Sequence, residues 1–468
     1  MIPERLRPLV DETSELAGRF ASAGKRLYLV GGVVRDAVLG RLDDDGDLDF
    51  TTDALPDETE AIVAGWAQAV WTQGKRFGTI GVRAPGGGAA GPTSGRVLEI
   101  TTHRAEAYTP DSRQPDVVFA QAIEADLSRR DFTVNAMALS LPDLELIDPF
   151  DGVSDLAAGR LRTPLSPQES FSDDPLRMLR AARFIAGYGL TPDADLVEAV
   201  VALRARLEIV SDERIRDELD KLMVVEAPGP GLWFLVRTGL AEEFLPELPA
   251  LGLEQDPIHR HKDVLAHTVA VVEKTSPERI LRLAALFHDV GKPKTRSFGP
   301  RGQVSFHHHE VVGARITRDR LRALKYPTHD VETITRLVEL HLRFHTYSMG
   351  WTDSAVRRYV RDAGPELARL NELTRCDCTT RNAAKARSLA RRMDELEERI
   401  ADLRSREELA SIRPDLDGNA VMARLGLAPG RDVGDALRFL LDLRLEEGPL
   451  DPEDAGRRLD QWWADRRQ

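Results

Sequence analysis

The sequence predicts an α+β protein, with strands and helices mixed in an N-terminal head and an all-helical remainder. Three observations predict it. Short β-like runs fall at 27–30, 48–51, 79–82 and 97–101, with helical segments between them. After about residue 155 nearly every segment carries its apolar residues at helical period, as in 174–186, 213–224, 281–289, 331–341 and 382–410. The 468 residues leave room for about three domains at roughly 150 residues each. Strands that run out before a long helical stretch point to an α+β head on a helical body.

Composition excludes several classes. Apolar residues make up 42% and charged residues 30%, as in a globular chain rather than a disordered one. No apolar run approaches the ~18 residues of a membrane span, so no membrane partner is expected. The opening MIPERLRPLVDETSEL is charged early and lacks an apolar signal core, which predicts no export and a reduced cytoplasmic setting. The two cysteines, Cys376 and Cys378, build no disulfide framework, and C-x-C without a partner pair completes no zinc site. Sixty-four basic against 77 acidic residues give a net charge of −13. That argues against a general nucleic-acid sponge but not against a local basic groove.

Taken in order, residues 28–36 (YLVGGVVRD) read as a strand, a Gly31-Gly32 turn and a helix start. Such a turn lets backbone N–H groups approach an anion at the positive end of the helix, although an ordinary strand–helix turn explains two glycines as well. In residues 43–52 (DDDGDLDFTT), Asp47 and Asp49 are two apart on a predicted strand. Both carboxylates then point to one face and repel each other unless a cation or arginine sits between them. A solvated acidic loop accounts for 43–45 but less well for the D-L-D-F alternation. Residues 84–95 (APGGGAAGPTSG) read as a mobile hairpin connection, not a phosphate loop, because no helix start follows. Glu99 interrupts the next strand and, alone, passes for an outward polar residue. Three carboxylates on neighbouring strands beside a Gly-Gly turn also fit a holder for two Mg²⁺ ions in phosphoryl transfer. Residues 172–184 (SDDPLRMLRAARF) read as one helix, with Ser172 as cap, aspartates at its start and Pro175 in its first turn. Asp174 and Arg177 are neighbours three apart on it, a spacing that a surface ion pair also produces. Residues 225–231 (VEAPGPG) break the helical pattern, and 251–259 read as a linker before a His-rich region.

The resemblance to a known family becomes specific at two motifs. Gly31-Gly-Val-Val-Arg-Asp36 followed by Asp47-Leu-Asp49 resembles the first motif of the class II nucleotidyltransferases of the polymerase-β superfamily, the tRNA CCA-adding enzymes and bacterial poly(A) polymerases. Arg129-Arg-Asp-Phe-Thr-Val-Asn-Ala-Met-Ala138 closely resembles that family's second signature. The resemblance implies a polymerase-β-like head of mixed and antiparallel sheet with helices, in which Asp47, Asp49 and Glu99 are the catalytic Mg²⁺ ligands. It implies that Gly31, Gly32, Arg35 and Asp36 surround the triphosphate and that Arg130, Asp131 and Asn135 hold triphosphate and ribose. Residues 172–184 resemble the Glu-Asp-x-x-Arg motif that selects the incoming base, with Asp174 and Arg177 reading it and Arg180 and Arg183 completing the nucleotide site. A carboxylate accepts from the exocyclic amine of cytosine or adenine while arginine donates to ring acceptors; uracil lacks the amine and guanine presents the opposite pattern. Asp173 stands where the family has Glu, so that position carries less weight. Residues 211–219 (SDERIRDEL) resemble the family's closing helix motif and are expected to support the neck. Residues 103–119 resemble the flexible loop of full CCA-adding enzymes, shortened in CC-only relatives, which favours CCA addition.

In the body, His267, the adjacent pair His288-Asp289 followed by Gly-Lys-Pro, and Asp377 resemble the HD phosphohydrolase superfamily, in which those four positions bind a metal. Residues 306–314 (FHHHEVVGA) resemble that family's next helix, with His309 and His341 as further candidate ligands. Imidazole and carboxylate suit Mn²⁺, Ni²⁺, Zn²⁺ or Mg²⁺, so the identity of this divalent metal stays open. The resemblance implies metal-activated hydrolysis of a 2′,3′-cyclic phosphate or phosphate monoester at an RNA end; a retained metal site or a fold that only holds tRNA is the plainer alternative. Arg375, Arg381, Lys385, Arg387, Arg391 and Arg392 precede an acidic run and suit either a phosphate-tracking face or a helix laced with i,i+4 pairs.

The expected organisation is a nucleotidyltransferase head at 1–155, a base-reading helical neck at 156–228, a linker opening the body at 229–258, an HD domain at 259–395 and a helical, RNA-binding tail at 396–468. The expected reaction is template-independent addition of C, C and A from CTP and ATP to the tRNA 3′ end, with the acceptor and T arms recognised by shape. Two other readings stay open: a poly(A) polymerase adding AMP to RNA 3′ ends, and an HD phosphohydrolase or RNA-binding protein with an inactive head. Oligomeric state is not legible.

Overall fold

Every residue of β1 (Leu27–Val30) is buried, because this strand lies inside a sheet covered on both faces. The sheet runs in the order β3 (Ala69–Trp71), β4 (Thr79–Arg83), β5 (Val97–Thr102), β2 (Leu48–Thr52), β1, β8 (Ala138–Leu141), β9 (Leu146–Ile147). Strands β2 and β5 are parallel and the other neighbours antiparallel. This is the computed structural model of the chain, and it describes residues 7–41, 48–85, 95–107, 116–120, 122–253, 263–300, 303–346, 351–378, 383–407, 409 and 412–467. Asp47 and the centres of the 84–95 and 103–119 connections lie outside the described residues. The four β runs expected from sequence agree with β1, β2, β4 and β5 to within one residue at each end. A separate ribbon, β6 (Arg104–Ala107) paired with β7 (Asp116–Phe119), lies within the 103–119 stretch expected as a flexible loop.

Alternation divides the sheet's two faces. Leu48, Phe50, Leu98 and Ile100 point into the larger core with Leu29 and Ile80. Helices α1 (Arg7–Ser22), α2 (Gly32–Leu39) and α3 (Pro56–Val63) cover that face through Leu16, Phe20, Val34, Ala37 and Val63. On the other face, Ile123 and Leu127 of α4 (Ile123–Ser128) form a smaller cluster with Tyr28, Val30, Ala136 and Ala138, against which Ile147 and Phe150 pack. Asp49 and Glu99 alternate onto this second face and are exposed there.

After the sheet come α5 (Gly152–Ala158), α6 (Pro167–Asp173), α7 (Leu176–Tyr188), α8 (Ala194–Leu203) and α9 (Asp212–Met223). Residues 172–184, expected as one helix capped by Ser172, are split between two. Pro175 has no N–H to continue α6 and disfavours helical backbone at the residue before it, so Asp174 turns extended (φ −137°, ψ 99°). Its Oδ1 accepts from Leu176 N–H at 3.1 Å and so serves the start of α7 in place of Ser172. Helices α10 (Gly229–Arg237) and α11 (Leu240–Phe244) occupy the stretch expected to open the body. Gly231 of α10 meets α7 so closely that a Cβ there would stand 2.5 Å from Ala182 O.

The chain forms two compact units, Met1–Phe244 and Leu245–Gln468. The second is helical: α12 (Val264–Lys274), α13 (Arg279–Phe287), α14 (Lys292–Thr295), α15 (His309–Ala323), α16 (Thr328–Leu340), α17 (Asp353–Ala363), α18 (Leu367–Asp377) and α19 (Ala383–Arg406). A short hairpin, 297–298 with 304–305, interrupts them. Its last helices, α20 (Gly418–Leu425), α21 (Arg431–Glu447) and α22 (Pro452–Arg466), close on their own core of Val421, Ala436, Leu440 and Leu459. Trp462 stacks on Phe439 at 4.9 Å beside that core. No helix among the described residues is long and apolar enough to cross a membrane.

Candidate active site and metal centre

Parallel pairing of β2 with β5 sets Asp49 directly opposite Glu99, and antiparallel pairing sets Asp49 opposite Val30 at the end of β1. The chain leaves Val30 through Gly31, whose φ of +77° suits glycine. A Cβ at Gly31 would stand 3.3 Å from Arg130 Nη1 and 3.6 Å from Asp49 Oδ2. The Gly-Gly turn therefore lets the backbone approach one of the candidate carboxylates and a candidate phosphate-binding arginine. Two exposed carboxylates side by side form an oxygen-rich donor set that suits a hard divalent cation.

Arg129 and Arg130 share the fully buried Asp126, which lies beneath them on α4, at 2.9 and 3.2 Å. Burial alone would raise the Asp126 carboxyl, but the two guanidinium charges outweigh it and hold it below the usual range. Next along the chain, Asp131 accepts from Phe132 N–H, Asn135 Nδ2 and the Nε and Nη2 of Arg180. Burial again opposes ionisation, and Arg180 with Asn135 wins, keeping Asp131 far below the usual carboxylate range. Asn135 Oδ1 accepts from Arg35 Nη1 at 2.6 Å, and Arg35 donates through Nε and Nη2 to Asp36. The Arg35 guanidinium lies 4.1 Å from the ring centroid of Tyr188 and 5.3 Å from that of Phe184, both on α7. Arg35, expected at the triphosphate, is thus buried and ties α2 to the neck, while Asp36 beside it stays partly open.

On α7, Arg180 and Arg183 converge on Glu218 of α9, with Arg183 Nε at 2.8 Å and Arg180 Nη1 at 3.5 Å. Asp174 Oδ2 accepts from Arg214 at 2.9 Å. Arg177 is buried; its Nη1 donates to Ser170 Oγ at 2.9 Å and its Nη2 to the carbonyl of Arg129. The candidates Gly31, Asp49, Glu99 and Arg130 meet at one end of this arrangement, and Asn135, Asp131, Arg180 and Arg183 follow as a continuous chain of contacts. Asp174 and Arg177 engage different partners. Asp126, Ser170 and Tyr188 were not among the candidates, and Glu218 entered only within the 211–219 segment expected to support the neck; the i,i+3 and i,i+4 spacing of Asp126 to Arg129 and Arg130 marks Asp126 in the sequence.

The second unit gathers six candidate ligands from five places in the chain. His267 stands on α12, His288 and Asp289 just beyond α13, His309 at the start of α15, His341 just beyond α16 and Asp377 at the end of α18. His267, His288 and Asp377 form one group whose ligand atoms lie within 4.8 Å, and Asp289, His309 and His341 form another. His267 Nε2 is 2.9 Å from Asp377 Oδ1, and His288 Nε2 is 3.2 Å from Asp289 Oδ2. Gly291 permits the assembly, because a Cβ there would lie 2.1 Å from His309 O.

The imidazoles are oriented as ligands. Nδ1 of His288, His309 and His341 faces the carbonyls of Ala285, Phe306 and Val338 at 2.7, 2.8 and 2.7 Å. A carbonyl only accepts, so each Nδ1 carries a proton and each Nε2 turns inward. Nε2 of His309 and of His341 is buried without a hydrogen bond, as suits a ligand to a cation. Burial disfavours charge on His288, yet the Asp289 and Asp377 carboxylates raise it to about 10, a measure of the negative potential focused there. Burial and the neighbouring imidazoles lower His341 to about 3. Lys292 Nζ donates to Asp289 Oδ2 at 2.7 Å. Of the arginine cluster, Arg375 is engaged by Asp394 and Glu397, and the Arg392 guanidinium lies 4.9 Å from the Phe344 ring centroid. Arg387 and Arg391 are exposed.

Comparison with known proteins agrees with this two-part arrangement. Residues 27–162 match the "Poly A polymerase head domain", 189–251 the "Probable RNA and SrmB- binding site of polymerase A" and 262–404 the "HD domain". The chain is 36% identical over 357 residues to an A-adding tRNA nucleotidyltransferase of Deinococcus radiodurans, spanning 73% of this chain and 80% of that one. It is 34% identical over 460 residues to a CC-adding tRNA nucleotidyltransferase of Thermus thermophilus, 95% of both chains. A CCA-adding enzyme of Bacillus subtilis is 38% identical over 222 residues, 47% of this chain and about half (52%) of that relative. Among solved structures, the Bacillus stearothermophilus CCA-adding enzyme in complex with CTP shares the fold, with a TM-score of 0.69 at 23% identity over 100% of this chain and 99% of that one. With relatives above 30% identity matched over 80% and 95% of their own lengths, the chain belongs to the family of tRNA nucleotidyltransferases and poly(A) polymerases.

Proposed function

We propose that the chain adds C, C and A, from CTP and ATP and without a nucleic-acid template, to the 3′ end of tRNA in the cytoplasm. The observation that carries this reading is the Asp49–Glu99 pair in register beside the Gly31 turn, with Arg130 next to it. Asp47, Asp49 and Glu99 would hold Mg²⁺, which when bound supplies Lewis-acid stabilisation of the charge that develops in phosphoryl transfer. Arg130, Arg180 and Arg183 would bind the triphosphate, Asp131 and Asn135 would place the ribose, and Asp174 with Arg177 would read the base. The terminal ribose hydroxyl of the RNA attacks the α-phosphorus and pyrophosphate leaves, so no covalent enzyme intermediate forms. The resemblance of residues 103–119, within which the β6–β7 ribbon lies, to the flexible loop of full CCA-adding enzymes supports CCA addition over CC addition.

A tRNA transcript lacking its last three nucleotides tests this with CTP, ATP or both, the products being sized at single-nucleotide resolution. Two additions with CTP alone and a single further one with ATP are expected. A long ladder with ATP alone would identify a poly(A) polymerase, and arrest after CC or a requirement for a CC end would identify a partial activity such as those of the two relatives named above. A second reading, favoured by the inward Nε2 atoms of the HD cluster, is that the second unit holds a divalent metal and hydrolyses phosphate at RNA ends. Replacing His288 is expected to weaken metal binding by more than the about 10–100-fold that loss of a supporting hydrogen bond costs. Metal content of the purified protein checks it, and unchanged content would contradict it.

A further inference from the structure

Ser170 lies on α6, not on α7, which carries Arg177, and it is 3% exposed. Its hydroxyl accepts from Arg177 Nη1 at 2.9 Å, and its own carbonyl accepts from the same nitrogen at 3.3 Å. The other terminal nitrogen of Arg177 donates to the carbonyl of Arg129, the residue that closes α4 and precedes Arg130 and Asp131. The guanidinium is therefore gripped from two elements other than its own. One grip reaches it from the loop expected to hold triphosphate and ribose, and the other from a serine with no assigned role.

We propose that Ser170 is a positioning residue for nucleobase selection, its hydroxyl fixing the plane of the Arg177 guanidinium. This rests on the reading of Asp174 and Arg177 as the base-reading pair. Arginine discriminates as a planar fork only when the plane is held; its side chain otherwise swings through several rotamers. Cytosine offers a lone pair at its ring N3 where uracil offers an N–H. A fixed guanidinium N–H facing that position leaves two donors opposed when uracil enters, whereas a mobile one turns away and admits it. Without the hydroxyl, only the longer carbonyl contact holds Nη1. The structure also shows where the test substitutions go. A cavity of about 160 Å³ borders Ser170, with Ala125, Ser128, Leu165 and Asp173 around it, so a methyl added at position 170 has room.

Ser170→Val and Ser170→Thr have nearly the same shape and differ in the hydroxyl. Single-nucleotide addition to tRNA lacking its last three nucleotides is measured as kcat/KM with CTP and with UTP. Ser170→Val is expected to lower the CTP-to-UTP ratio at least about tenfold while kcat with CTP stays within about threefold, and Ser170→Thr to keep the wild-type ratio. A wild-type ratio in Ser170→Val would overturn the proposal. Arg177→Met separates the layers. If it lowers the ratio and Ser170→Val does not, only the role of Ser170 fails; if it leaves the ratio unchanged, the base-reading assignment fails and the proposal with it. Ser170→Ala makes the same comparison should Ser170→Val not fold.

Discussion

Asp131 receives a backbone N–H, an amide and a guanidinium at once, and it is buried. Its folded carboxyl sits far below the unfolded value near 3.9, so it binds its proton more weakly in the folded state. The sign follows from linkage: the stability it supplies is complete above about pH 5, begins to fall below about pH 4 and drains as the pH drops toward the depressed folded value. Asp131→Asn is expected to be less stable than wild type at pH 7, with the gap in urea midpoint shrinking at pH 3.5. A gap that stays constant with pH would contradict the assignment. Legibility at this scale follows sequence distance. Gly31, Asp49 and the His288-Asp289 pair stood out because their neighbours along the chain form a pattern. Ser170 and Tyr188 did not, because their arginine partners lie 7 and over 100 residues away, and Glu218 was legible only as part of the 211–219 motif, its partner Arg183 being 35 residues distant.

At the scale of elements, α7 joins the parts of the first unit. It buries Leu176, Met178, Ala182 and Phe184 while carrying Arg177, Arg180 and Arg183 toward the head and α9. Glu218 is the buried counter-charge for two of those arginines; burial would raise its carboxyl, and Arg183 and Arg180 hold it down instead. The strands were legible to within a residue because β1, β2, β4 and β5 alternate or are wholly apolar. The split of α6 from α7 was not, because the aspartates before Pro175 resemble a helix start as closely as they resemble a helix end. In the second unit Arg357 of α17 forms a buried pair with Glu407, both side chains about 5% exposed, and reaches the carbonyl of Leu445 on α21. Glu407→Ala leaves that guanidinium without its counter-charge and is expected to cost about 3–5 kcal/mol. Chemical denaturation reads this, and a loss under about 1 kcal/mol would show that the pair is not desolvated in solution.

The whole molecule places two chemistries in two units: a carboxylate pair and arginine-lined turn in residues up to 244, and an imidazole–carboxylate cluster beyond it. Net charge gave no hint of the first, because the relevant arginines are gathered just after α4 and on α7 and their neighbouring carboxylates balance them in the sum. The relatives include a CC-adding and an A-adding tRNA nucleotidyltransferase, so the central claim is that one head site performs both steps here. The most direct measurement replaces Asp49 with Ala and follows two reactions side by side. One is CMP addition to tRNA lacking its last three nucleotides, and the other AMP addition to tRNA ending in CC. Both rates are expected to fall in parallel, by at least about a thousandfold, since the carboxylate serves the phosphoryl transfer common to both. Loss of one with survival of the other, or survival of both, would contradict a single transfer site built on Asp49.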